Sequence, residues 1–174
     1  NSDIYSPQMA EFVDTVGRVA QPSYLPYAFF IEGGGLAVEN ALKAAFDWKA
    51  KKNIARGKTQ PKNLVIHLKD CFHGRTGYTM SLTDSPDPRK VQYFPKFNWP
   101  RVLNPSIEFP LDENSIAKVI KLEQKSLAQI KQVLFENPDD VACMILEPIQ
   151  GEGGDNHFRP EYFKEIKHLS LEND

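Results

Sequence analysis

Apolar residues along this chain follow two rhythms. In four long stretches they recur every three or four positions, the spacing of a helix face. The first begins at Ser6-Pro7, a capping hydroxyl followed by proline at the first helical position, and sets Met9, Phe12, Val13 and Val16 on one side. The second runs from about Leu36 to Arg56 and stops at Gly57, with Ala37, Ala41, Ala44, Ala45 and Trp48 as its expected stripe and Glu39–Lys43 as an i,i+4 pair. The third is SIAKVIKLEQKSLAQIKQVLFEN, capped near Asp112 or Asn114, and the fourth starts at Pro160. Between them lie short continuous apolar runs, AFFI at 28–31, NLVIHL at 63–68 and VACMILEPI at 141–149, which read as strands covered on both faces. A short helix is expected near Thr76–Thr83, and the Pro-rich stretch 84–111 should be mostly irregular.

Strands alternating with helices predict right-handed crossovers and a mainly parallel sheet, an α/β domain whose ligands sit at the carboxyl ends of the strands. Three polar, glycine-bearing loops fall at that edge: 32–35, 70–77 and 147–154.

Composition narrows the class. At 174 residues, 41% hydrophobic and 25% charged, the chain can bury a core of its own. A net charge of −2 without runs of one sign argues against a nucleic-acid or membrane-surface partner, and no apolar stretch has the length of a membrane span. Cys71 and Cys143 are far apart with no CxxC spacing, so they read as reduced thiols in a cytoplasmic protein and not as a metal site. The ends, NSDIYSPQ without an initiator methionine and HLSLEND at a helix, suggest a piece of a longer protein.

The loops carry the chemistry. EGGG at 32–35 places bare backbone where a strand hands over to a helix, so N–H donors and the helix dipole converge on one point, which suits a phosphate. The string is neither GxxxxGK[ST] nor GxGxxG, which leaves a single terminal phosphate on a small cofactor. CFHGR at 71–75 offers Phe72 or His73 to stack on a flat ring and Arg75 to grip a carboxylate, while Cys71 reads as a small buried hydrophobe. LEPIQGEGG places Glu147 and Glu152 five positions apart, a spacing that leaves their role open.

Taken together, EGGGLAVENALKAAFDWK, FHGRTGYTMSLT, FPKFNWPR and EPIQGEGGDNHFRPEYF closely resemble the class III, or omega, aminotransferases, over nearly the whole chain from NSDIYSPQMAEFV onward. Among these the strings look most like the branch that acts on the ε-amino group of L-lysine. The resemblance implies fold type I, with residues 28–174 forming part of the large cofactor domain and 1–27 leading into it. It implies pyridoxal 5′-phosphate as cofactor, L-lysine and 2-oxoglutarate as substrates, 2-aminoadipate 6-semialdehyde and L-glutamate as products, and a homodimer. By the same resemblance Gly34 and Gly35 hold the cofactor phosphate, with Gly33 where relatives often carry a hydroxyl. Phe72 stacks on the pyridine ring, with His73 beside it, and Glu147 belongs to the hydrogen-bonded surroundings. Arg75 binds a substrate carboxylate. Glu152 resembles a switch glutamate that pairs with a downstream arginine in one half-reaction and swings aside in the other, a movement that Gly151 and Gly153 would ease. The Schiff-base lysine of the family follows an Asp-Glu strand end that comes after the last helix of this sequence, so these residues alone are expected not to transaminate. Ornithine or 4-aminobutyrate aminotransferase, a non-catalytic phosphate-binding module, and a carbohydrate hydrolase built on Glu147 and Glu152 are the competing expectations.

Overall fold

The computed structural model describes residues 4–60 and 62–174. Asn1 to Asp3 of the opening string lie outside the described residues. The chain divides into two compact units after Ile31.

The first unit holds helix α1, Pro7–Val19. Ser6 caps it as expected, its Oγ accepting from Met9 N at 3.2 Å. Phe12 meets Phe30 edge-on, with ring centroids 5.4 Å apart. Residues 28–31 form no strand, contrary to the apolar pattern, and Phe29 is 72% exposed. An apolar run becomes a strand only when a neighbour takes its backbone bonds. The parallel sheet described here pairs only strands of the second unit.

The second unit is built on that sheet, in the order β2-β1-β3: β1 is Leu64–Leu68, β2 Arg101–Val102 and β3 Val141–Ile145. His67 and Leu68 face Arg101 and Val102, and Val65 to His67 face Cys143 to Ile145. Successive β1 side chains alternate between two apolar clusters. Val65 packs with Leu42, Leu82, Cys143 and Ile145 beneath helices α2 (Gly34–Ala55) and α3 (Thr79–Leu82). Ile66 and Leu68 pack with Val102, Ile130, Tyr162, Ile166 and Leu169 beneath α4 (Glu113–Glu136) and α5 (Pro160–Glu172). Each such side chain, removed from water, contributes about 1.5–3 kcal/mol. β4 (Ile149–Gln150) and β5 (Asn156–His157) make a small antiparallel hairpin after β3.

Several boundaries differ from the sequence reading. The inward stripe of α2 comprises buried Leu42, Lys49 and Asn53 with half-buried Val38 and Phe46, while Ala37, Ala41 and Ala44 are exposed, Ala45 is half-buried and Trp48 is 50% exposed. The stripe turns because the larger side chains fill the space over Val65 and Cys143 that alanine methyls would leave open. Glu39 does not pair with Lys43; it bonds Thr76 instead. β3 stops at Ile145 because Glu147 turns toward another loop and Pro148 has no N–H to give the ladder. α4 starts on a capping box, in which Asp112 Oδ1 accepts from Ser115 N and Ser115 Oγ accepts from Asp112 N. Where α4 meets α5, Arg159 grips buried Glu123 with two bonds of 2.9 and 2.8 Å.

Candidate active site

The loops after β1 and β3 leave the same edge of the parallel sheet, and the glycine turn is carried to them by α2. Gly33 takes φ +88°, a conformation glycine adopts without strain, and α2 begins at Gly34 with no side chain capping its first turn. A Cβ placed on Gly33 or Gly34 would meet nothing within 4 Å, whereas one on Gly35 would press on Thr76 Cγ2 at 3.3 Å. The turn is therefore open on its outer side and anchored on its inner side. Its free N–H groups at the positive end of a 22-residue helix suit a terminal phosphate.

The second loop is braced against that turn. Gly74, at φ +115°, lies so close that a Cβ there would sit 3.0 Å from Gly35 Cα and 2.9 Å from Thr79 Oγ1. Glu39 of α2 accepts from Thr76 Oγ1 at 2.6 Å, Tyr78 N at 2.7 Å and Thr79 N at 3.2 Å, so one carboxylate caps α3 and fixes the loop. His73 N donates to Thr83 Oγ1, which donates to Gly74 O. The His73 ring is 7% exposed, its Nε2 has no partner, and burial lowers its pKa to about 4. Phe72 keeps its ring half-buried and Arg75 is exposed. Cys71 is buried, its thiol directed at Leu82 O and its pKa pushed up to about 12 by burial, as befits a small hydrophobe.

The third loop is tied to the second. Glu147 Oε2 accepts from Phe72 N at 3.0 Å, and burial raises the pKa of its carboxyl even though backbone N–H groups of Phe72 and Gly151 bond it. Gln150, fully buried, donates from Nε2 to Lys69 O at 2.8 Å and accepts at Oε1 from Asn104 and Asn156. A Cβ on Gly153 would overlap the carbonyl oxygen of Asp70. Gly153 therefore serves the close approach of two backbones, while a Cβ on Gly151 would meet nothing within 4 Å. Glu152 Oε1 accepts from Ser85 Oγ at 2.7 Å and Lys90 Nζ at 2.6 Å, bonds that lower its pKa, the Lys90 bond most.

All seven residues singled out in the sequence thus lie on three loops that touch. Glu39, Gln150, Ser85 and Lys90 were missed. Gln150 alone left a trace, an amide following an apolar residue in EPIQGEGG. A fourth group joins the same edge: His67 Nε2 accepts from Arg101 Nε at 3.2 Å, Arg101 pairs with Asp84 at 2.9 Å, and Asp84 accepts from Asp70 N.

A parallel α/β sheet with a glycine turn, an aromatic–basic loop and a glutamate-bearing loop meeting at its carboxyl edge is the arrangement of a cofactor-dependent transferase, and the profile of the aminotransferase class-III family matches residues 5–174. The chain belongs to that family and has its fold-type-I architecture. It is 50% identical over 175 residues to an L-lysine-epsilon aminotransferase of Mycobacterium bovis, covering 100% of this chain and 38% of that protein. The homologue of the same name from Amycolatopsis lactamdurans is 45% identical over 174 residues, with the same coverage. A solved lysine aminotransferase of Mycobacterium tuberculosis superposes with a TM-score of 0.91 at 49% identity, over 100% of this chain and 39% of that one. The chain thus spans about two fifths of the length of the relatives it matches. Class-III aminotransferases work with pyridoxal 5′-phosphate, and the open, uncapped glycine turn fits its phosphate. No helix among the described residues is long and apolar enough to cross a membrane.

Proposed function

We propose that the protein carrying this sequence moves the ε-amino group of L-lysine to 2-oxoglutarate, giving 2-aminoadipate 6-semialdehyde and L-glutamate. The observation that carries this reading is the 50% identity, over the whole chain, to a protein named for that activity. The meeting of three chemically distinct loops supports it. When bound, pyridoxal phosphate supplies an electron sink for the bonds of the amine-bearing carbon. The work of this chain is to hold and orient.

In this reading, residues 28–174 belong to the large cofactor domain and 1–27 lead into it. Backbone N–H groups of Gly34 and Gly35 take the phosphate. Phe72 offers the stacking face, because its ring is half-buried while that of His73 is packed away. Glu147 fixes Phe72 through its backbone N–H, which would hold the ring in place for stacking on the cofactor. Arg75, exposed in its loop, would grip a substrate carboxylate through two parallel bonds. Glu152 sets the charge of the pocket beside it. The functional protein is a homodimer, and the two free cysteines of this chain suit a reducing, cytoplasmic setting.

The test is amino-donor profiling of the full-length protein, supplied with pyridoxal phosphate and 2-oxoglutarate and assayed for glutamate. L-Lysine should give the highest kcat/KM; a higher value for L-ornithine or 4-aminobutyrate would refute the lysine assignment.

A further inference from the structure

Lys90 and Ser85 come from the Pro-rich stretch 84–111, and both bond one oxygen of Glu152. The pairing is selective. Arg89, next in sequence, is consumed by Asp87, with Nε–Oδ1 at 2.8 Å and Nη2–Oδ2 at 2.9 Å, so Lys90 is the basic side chain left for Glu152. The other carboxylate oxygen, Glu152 Oε2, is buried and has no partner among the described residues. One carboxylate oxygen of Glu152 is thus held by two donors.

We propose that Lys90, with Ser85, is a positioning residue that holds and neutralises Glu152 so that a dicarboxylic keto acid can enter the site, and that it thereby sets acceptor affinity separately from donor affinity. The inference rests on the transaminase reading above. Such an enzyme must admit in turn a donor bearing an ammonium group and an acceptor bearing two carboxylates. A bare glutamate beside the substrate favours the first and repels the second. Since Gly153 is pinned on Asp70, the backbone does not carry Glu152 away; the side chain can only change partners about a fixed anchor. Lys90 is the partner that keeps it engaged while the acceptor binds. It sits at the end of the short 3-10 turn Pro88–Lys90, half exposed, where a cation can release and recapture a carboxylate at little cost.

The experiment uses the full-length holoenzyme and reads the two half-reactions separately from cofactor absorbance, in wild type, Lys90→Met and Lys90→Arg, each also combined with Glu152→Gln. Lys90→Met should raise the KM for 2-oxoglutarate about tenfold, the weight of one charge-assisted bond, and change acceptor kcat and donor KM by less than about twofold. Lys90→Arg should restore the acceptor KM to within about threefold of wild type, and in the Glu152→Gln background Lys90→Met should have no further effect. Equal losses in both half-reactions, an unchanged acceptor KM, or an undiminished effect without the Glu152 charge would overturn the proposal. A higher kcat/KM with an amino donor other than lysine would overturn the lysine assignment and leave the acceptor comparison readable. Absence of amino transfer from any donor would overturn both.

Discussion

Gly153→Ala is the sharpest perturbation of the loop assembly. The added methyl would overlap the carbonyl oxygen of Asp70, and neither side can give cheaply, because both atoms belong to backbone. Asp70 is already held at φ +59° with its N–H bonded to Asp84. Overpacking of this kind costs about 1–3 kcal/mol when the surroundings absorb it. If the hairpin lifts instead, it strips the bonds from Gln150 to Lys69 O and from Phe72 N to Glu147, each worth about 1 kcal/mol net. Either route gives a loss of about 1–3 kcal/mol. Urea unfolding of the full-length protein measures it, with Gly151→Ala as the control: a Cβ there meets nothing within 4 Å, so its stability should stay within about 0.5 kcal/mol of wild type. A Gly153→Ala protein as stable as wild type, or a control equally damaged, would refute the packing argument.

Arg159→Met should cost about 3–5 kcal/mol, since it leaves the buried Glu123 carboxylate without its two bonds; a loss below about 1 kcal/mol in the same unfolding assay would contradict a buried pair. Stability should also fall as pH drops from about 7 to 5. His67, through burial and then Arg101, and His73, through burial, have folded pKa values near 4, below the unfolded value of 6.5. Above 6.5 both states are neutral and the full stability is present. Between 6.5 and about 4 only the unfolded chain takes up protons, so each histidine withdraws about 2 kcal/mol by about pH 5. His67→Gln and His73→Gln should each flatten that slope; an unchanged slope in both would mean the two rings are solvated.

The periodic parts of the chain were readable from sequence because burial enforces the period. β1 and α4 each face a packed core, and a slip would expose a row of apolar side chains. α1 and α4 carry caps whose residue types announce themselves. The failures share a different cause. AFFI is apolar, but strand formation is decided by a neighbour and not by composition. β2 has only Arg101 and Val102 between Pro100 and a loop, too short to show any period. The α2 stripe turned because large side chains outweigh alanines when a cavity must be filled. The site was legible where glycine or a dense motif marked it, at EGGG, FHGR and EPIQGEGG. Glu39, Ser85 and Lys90 were hidden, because side chains 37 to 67 positions from their partners are brought together only by the crossovers.

The most direct measurement follows a single nitrogen atom. The full-length protein, loaded with pyridoxal phosphate, is given L-lysine labelled with heavy nitrogen at the ε position together with 2-oxoglutarate, and the glutamate formed is analysed by mass spectrometry. Heavy glutamate from the ε-labelled substrate, and light glutamate from lysine labelled at the α position, is the expected result. Label arriving from the α position, or no glutamate from lysine while another amine is consumed, would contradict the assignment.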